Sequence, residues 1–95
     1  MHREEFEAEA GRNGYSGFVQ GSKEPNESKA EHCDHRDVAL LVVAGELSVH
    51  VAGVSRTYRA GDSFALPADT MHAEDAGPEG ATYLVGFREA PPPAR

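Results

Sequence analysis

Val38-Ala39-Leu40-Leu41-Val42-Val43-Ala44-Gly45-Glu46-Leu47-Ser48-Val49-His50-Val51-Ala52-Gly53 is the stretch that decides the fold. Its first seven residues form a short apolar run rich in β-branched side chains, stopped by Gly45. That length suits a strand buried on both faces better than a helix. Glu46 to Val51 then alternates strictly and sets Leu47, Val49 and Val51 on one face. Ala52-Gly53 stands where a tight hairpin belongs, and Val54 to Arg59 reads as the returning strand.

Working outward, Gly61-Asp62 marks a turn, Ser63 to Leu66 a short strand, and Pro67-Ala68-Asp69 another turn. Met71 to Glu74 and Ala81 to Phe87 complete the series, separated by Gly77-Pro78-Glu79-Gly80. Many short strands punctuated by turns predict an all-β sandwich or barrel. Upstream, Arg3 to Ala10 can form a short helix ended by Gly11 and Asn13-Gly14. Tyr15 to Gln20 reads as a strand, and Gly21 to Lys29, with Pro25-Asn26, as a loop. The expected organisation is an N-terminal helix and strand arm over 1–30, a barrel over 31–88, and a proline-rich tail over 89–95.

Ninety-five residues make one domain, and a chain this short buries a limited share of its surface. Pairing with a second copy would add buried area, so a homodimer is expected. Nine Lys and Arg against 16 Asp and Glu give a net charge of -7, with no basic run to meet a phosphate backbone. Nucleic acid is therefore not an expected partner. The longest apolar run is too short to cross a bilayer, and the charged first residues lead into no apolar core of signal-peptide length. Cys33 is the only cysteine, which excludes an internal disulfide. No membrane partner and a cytoplasmic location are the expectations.

The segment from Gly61 to His72 reads Gly61-x5-Pro67-x-Asp69-x2-His72. It resembles the second sequence motif of the cupin superfamily, with Asp69 in place of the usual glycine. Asp takes a left-handed turn nearly as well as Gly. Upstream, His32-Cys33-Asp34, then Asp37, the apolar strand and Gly45, is similar to the first motif. Asp34 stands where that pattern has its second histidine, and His35 is one residue out of register. The resemblance runs from Glu31 to Phe87 and implies a jelly-roll barrel, or double-stranded β-helix, with His72 in an interior pocket.

In that family the corresponding residues surround one divalent metal, so the resemblance implies His32, Asp34, Asp37 and His72 as the ligand set. Residues two apart on a strand share a face, which lets His32 and Asp34 both point inward. Two imidazoles and two carboxylates suit Fe, Mn, Ni or Zn. Plainer readings stand beside these. An Asp before a turn caps its own backbone, Asp37 can be solvated at a strand start, and His32 can lie exposed at a strand end. Cys33 should face away from His32 as a small apolar residue, and His50 should lie on the polar surface. Glu74 shares the face of His72 and is a candidate partner or general base.

Three functions follow as expectations. One is a small metal-binding cupin whose interior pocket takes a small-molecule ligand or substrate. Another is a metal-dependent dioxygenase or an isomerase of a sugar or organic acid. The third is a metal-free ligand-binding or structural barrel.

Overall fold

The structure, a computed structural model, describes residues 1–89. Its elements are α1 (Arg3–Arg12), β1 (Ser16–Lys23), β2 (Ser28–His32), β3 (Asp37–Val51), β4 (Val54–Arg59), β5 (Ser63–Leu66) and β6 (His72–Arg88). Six antiparallel strands form one curled sheet in which β1, β6, β3 and β4 are successive neighbours, while β2 pairs with β6 and β5 with β3. This is the jelly-roll architecture expected from the sequence. Prolines 91–93 of the expected tail lie outside the described residues. Among the described residues, no helix is long and apolar enough to cross a membrane.

Two long strands form the spine. The apolar run and the alternating segment after it, expected as separate strands, are one strand, β3. The two terminal strands are likewise one, β6. β3 and β6 pair from Asp37↔Arg88 to His50↔Ala73. The turn residues between the pieces bend the strands without reversing them. Val43 has no opposite partner between Val42↔Tyr83 and Ala44↔Thr82, and residues 77–80 leave the ladder opposite the single residue Glu46. Such bulges curl a sheet. Gly45 makes the bend possible: it sits at φ +73°, and a Cβ there would run into the carbonyl of Gly80.

From Asp37 to Val42 β3 is buried on both faces, as its apolar composition requires. Leu40, Val42, Leu47 and Val49 cluster with Ala76 and Ala81 inside the barrel, against Tyr58 and Phe64. Ala39 and Leu41 pack on the other side, with Leu84, against Phe6 and Ala10 of α1. Phe6 and Ala10 are four apart, so they share one face of the helix. α1 runs to Arg12, two residues past the expected end, and Asn13 closes it by donating from Nδ2 to the Glu9 carbonyl at 3.0 Å. The hairpin turns at Ala52 and Gly53, both at positive φ (49° and 80°), the geometry that suits a two-residue loop between twisted strands.

The loop expected over Gly21–Lys29 is corrected. Gly21 to Lys23 continue β1, and β2 begins at Ser28. All but the last residue of β2 are exposed, so this strand is held by its ladder to β6 rather than by apolar side chains. β1 and β2 therefore hydrogen-bond directly into the sheet that carries the site.

Candidate metal centre

β2 ends and β6 begins on a pair of histidines. His32 and His72 are register partners, with ring centroids 4.3 Å apart. Glu74 follows two residues after His72 and so shares its face. Lys29, directly opposite Glu74 in the ladder, and Lys23, the last residue of β1, line the same cavity. The cavity measures about 160 Å³ and is walled by Leu40, Phe64, Leu66, Tyr83 and Val85. That is well below the roughly 300–1,000 Å³ of a drug-sized site, so it suits only a small ligand.

The hydrogen bonds fix the chemistry of the two rings. His32 Nδ1–H donates to the Ala30 carbonyl at 2.9 Å, and His72 Nδ1–H donates to the Thr70 carbonyl at 2.8 Å. A carbonyl oxygen only accepts, so each Nδ1 must carry the hydrogen and a neutral ring presents an Nε2 lone pair. Both Nε2 atoms face Glu74 Oε2, at 3.7 Å from His32 and 3.2 Å from His72. Two lone pairs and a carboxylate oxygen thus converge, and the three side chains offer donor atoms within 4.8 Å of one another. Such a cluster calls for a cation at its centre, either a proton on a ring or a metal ion. The second Glu74 oxygen lies 3.6 Å from Lys23 Nζ, whose side chain is only 6% exposed. His72 is 3% exposed, the deeper of the two histidines.

The ligand set implied by the sequence is gathered only in part. His32 and His72 meet. Asp34 lines the cavity but is not among the converging donors, and its main-chain carbonyl accepts from Asp69 N–H at 2.7 Å. Asp37 is buried and stands apart. Its Oδ1 accepts from Ala68 N–H at 2.8 Å, and its Oδ2 accepts from Arg88 Nε and Nη2 at 2.9 and 2.8 Å. The Ala68 hydrogen bond and then the Arg88 guanidinium hold its carboxyl below the usual carboxylate value, while burial opposes them. Asp37 therefore ties the start of β3 to the end of β6 and to the turn before His72. With both oxygens committed to N–H donors, it is not placed to ligate an ion at the histidines.

The carboxylate that lies beside the two histidines is that of Glu74, whereas Asp34 and Asp37 were the acids expected there. Strand alternation already set it on the face of His72, but its contact with His32 depends on the β2–β6 register, which the polar sequence of β2 does not announce. Lys23 carried no sequence signal beyond its position at the end of a strand. Cys33 follows the end of β2 and does not line the cavity, and its Sγ lies near His35 and Asp69. His50 is half-exposed and bridges strands, with Nδ1 2.6 Å from Ser55 Oγ and Nε2 2.6 Å from Asp75 Oδ2. Asp75 also accepts from Ser28 Oγ at 2.5 Å, and these two contacts, the serine first, lower its pKa.

The solved structures similar to this chain include a protein of unknown function from Rhizobium leguminosarum bv. viciae 3841. Identity is 22% and the TM-score 0.72, over 76% of this chain and 68% of that one. An RmlC-like cupin from Shewanella frigidimarina NCIMB 400 is 29% identical, with TM-score 0.67, over 77% of this chain and 65% of that one. A cupin superfamily protein from Desulfitobacterium hafniense DCB-2 is 22% identical, with TM-score 0.68, over 76% and 65%. The chain thus spans about two thirds of the length of each. No curated protein matches it. The family model described as a cupin domain matches residues 22–85.

Proposed function

The chain belongs to the cupin domain family, and from that premise we propose that it holds a divalent transition-metal ion on His32, His72 and Glu74 and binds a small anion beside it. The observation that carries this reading is the convergence of two Nε2 lone pairs and one carboxylate oxygen, with both rings locked by Nδ1–H bonds to carbonyls. Two imidazoles and one carboxylate form the donor set of non-haem Fe(II) centres and of many Zn sites, both of which keep coordination positions open. The ion would supply a Lewis acid or, if redox-active, a centre for oxygen chemistry.

The chain's own residues do the rest. The Ala30 and Thr70 carbonyls hold the imidazoles in the ligating tautomer and orientation. With Glu74 Oε2 engaged by a metal, the carboxylate's charge would be shared with the ion, and the Lys23 ammonium beside Oε1 would keep positive charge for an anion. Lys29 adds a second cation on the cavity wall. A carboxylate of a few heavy atoms matches both this charge and the volume. Leu40, Phe64 and Leu66 exclude water and strengthen the electrostatic attraction.

A second reading has its own observation. Lys23 at 3.6 Å and His72 at 3.2 Å already flank Glu74, so an imidazolium can stand in for the metal in a metal-free binding barrel. Metal analysis of protein purified without a chelating tag, followed by calorimetric titration with Fe(II), Mn(II), Ni(II) and Zn(II), separates the two. Uptake that falls by about one equivalent in His72→Ala, with the β-sheet circular dichroism intact, supports the metal centre. No uptake and no rise in Tm with any ion leaves the metal-free barrel. We also propose a homodimer, because a 95-residue chain gains buried area by pairing. A monomer by light scattering at micromolar concentration rules that out.

A further inference from the structure

On the other side of the 32–35 segment lies a second group of ligating atoms. From Cys33 Sγ, a ring nitrogen of His35 and a carboxylate oxygen of Asp69 we infer a separate, surface-open site for a borderline-soft divalent cation of the Zn(II) or Co(II) kind. These three atoms lie within 4.8 Å of one another. The site lies apart from the cavity: His32 and Asp34 line it, whereas Cys33, His35 and Asp69 do not. The two sites are therefore back to back on one short stretch of chain and share no side chain.

Two features of the backbone bring the donors together. Asp69 occupies the left-handed conformation at φ +63°, in the turn where the related motif has glycine. Its N–H donates to the Asp34 carbonyl at 2.7 Å, which fastens the 67–70 turn to the 33–35 segment. Asp tolerates that backbone and adds a carboxylate that glycine lacks. The carboxylate already accepts from His35 Nδ1–H at 2.8 Å. That bond shows the two side chains already meeting, and a cation bound there would replace the proton that they share.

The donor types select the ion. A thiolate with an imidazole and a carboxylate favours Zn(II), Co(II) or Ni(II) over Mg(II) and Ca(II), which prefer all-oxygen shells. Around one tetrahedral ion, bonds of about 2.0–2.3 Å place donors roughly 3.3–3.7 Å apart. The three donors already lie within 4.8 Å of one another, and the His35 and Asp69 side chains, 88% and 67% exposed, are free to turn to that spacing. Their exposure makes the site exchangeable, with a fourth position for water.

Cobalt tests this because only the outer site contains sulfur. Co(II) is titrated into the reduced full chain in a thiol-free buffer, and the thiolate-to-cobalt charge-transfer band is followed in the near ultraviolet. The inference expects a band that accounts for one bound Co(II) beyond any held by the inner histidines, and that saturates at about one equivalent in His72→Ala. It should be absent in Cys33→Ser, weakened ~10–100-fold in apparent affinity in Asp69→Asn or His35→Gln, and unchanged in His72→Ala. Asn is chosen at position 69 because it also tolerates positive φ. Zn(II) should slow alkylation of Cys33 in the wild-type chain and in His72→Ala alike, a readout that does not require the cysteine variant to fold. No charge-transfer band, or one that persists at full affinity when both His35 and Asp69 are replaced, overturns the inference.

Discussion

His32 and His72 face each other across the β2–β6 ladder with ring centroids 4.3 Å apart, each ring held by its own i−2 carbonyl. The relationship is built by two different segments: a polar edge strand that gains its place by hydrogen-bonding, and the start of a long central strand. It aims both Nε2 atoms at one carboxylate oxygen, and the proposed chemistry rests on that aim.

Glu74→Gln keeps the shape of the side chain and removes its charge. The account expects affinity for Zn(II) or Ni(II) at the inner site to fall by at least about tenfold, read by calorimetry, with little change in Tm of the metal-free protein. An unchanged affinity would remove Glu74 from the ligand set.

Lys23→Met separates the ion from the anion. The nearly isosteric apolar side chain should leave metal uptake in place and weaken binding of a small dicarboxylate such as malonate to the metal-loaded protein. A loss of roughly tenfold corresponds to about 1.4 kcal/mol. Equal malonate affinity in both proteins would show that the ammonium does not contact the anion.

The fold should lose stability in acid, and Asp37 should be one reason. Its folded pKa lies below the ordinary 3.8, so its contribution is complete above that value and disappears as pH falls through the lower folded value. Asp75, also depressed, acts in the same direction. Asp37→Asn should therefore lower Tm at neutral pH and flatten the decline below pH 3.8. Parallel acid limbs in the two proteins, by thermal denaturation across pH, would contradict this.

Gly45→Ala should be costly although it adds one methyl group. Gly45 sits at φ +73° with the Gly80 carbonyl in the way of a Cβ. Strain of this kind costs about 1–3 kcal/mol before the clash is counted. Urea denaturation should show the midpoint falling, whereas Gly53→Ala, where nothing lies within 4 Å, should meet no such clash and cost less.

The strands with a periodic or apolar pattern were legible in the sequence. β3, β4 and β5 announce themselves through a β-branched run, strict alternation and turn residues, and the positive φ of Ala52, Gly53, Gly61 and Asp69 falls where those turns were placed. His72 could be found from its spacing to Gly61 and Pro67. β2 could not, because a polar strand satisfied by ladder bonds has no periodic signature. Without β2 the meeting of His32 with Glu74 is invisible, and the acid of the cluster was sought at Asp34 and Asp37. The partner of Asp37, Arg88, lies 51 residues away and only the β3–β6 register joins them. The continuity of β3 through Gly45 was hidden for a similar reason, since glycine serves a bulge as well as a turn.

The proposed function requires a divalent ion between His32, His72 and Glu74. Anomalous diffraction at the Zn or Co edge, from crystals of the chain grown with that metal, tests it most directly. The expected result is a peak within bonding distance of both Nε2 atoms and a Glu74 oxygen. A crystal saturated with metal that shows the two Nε2 atoms and Glu74 as placed here, with no anomalous peak among them, would contradict it.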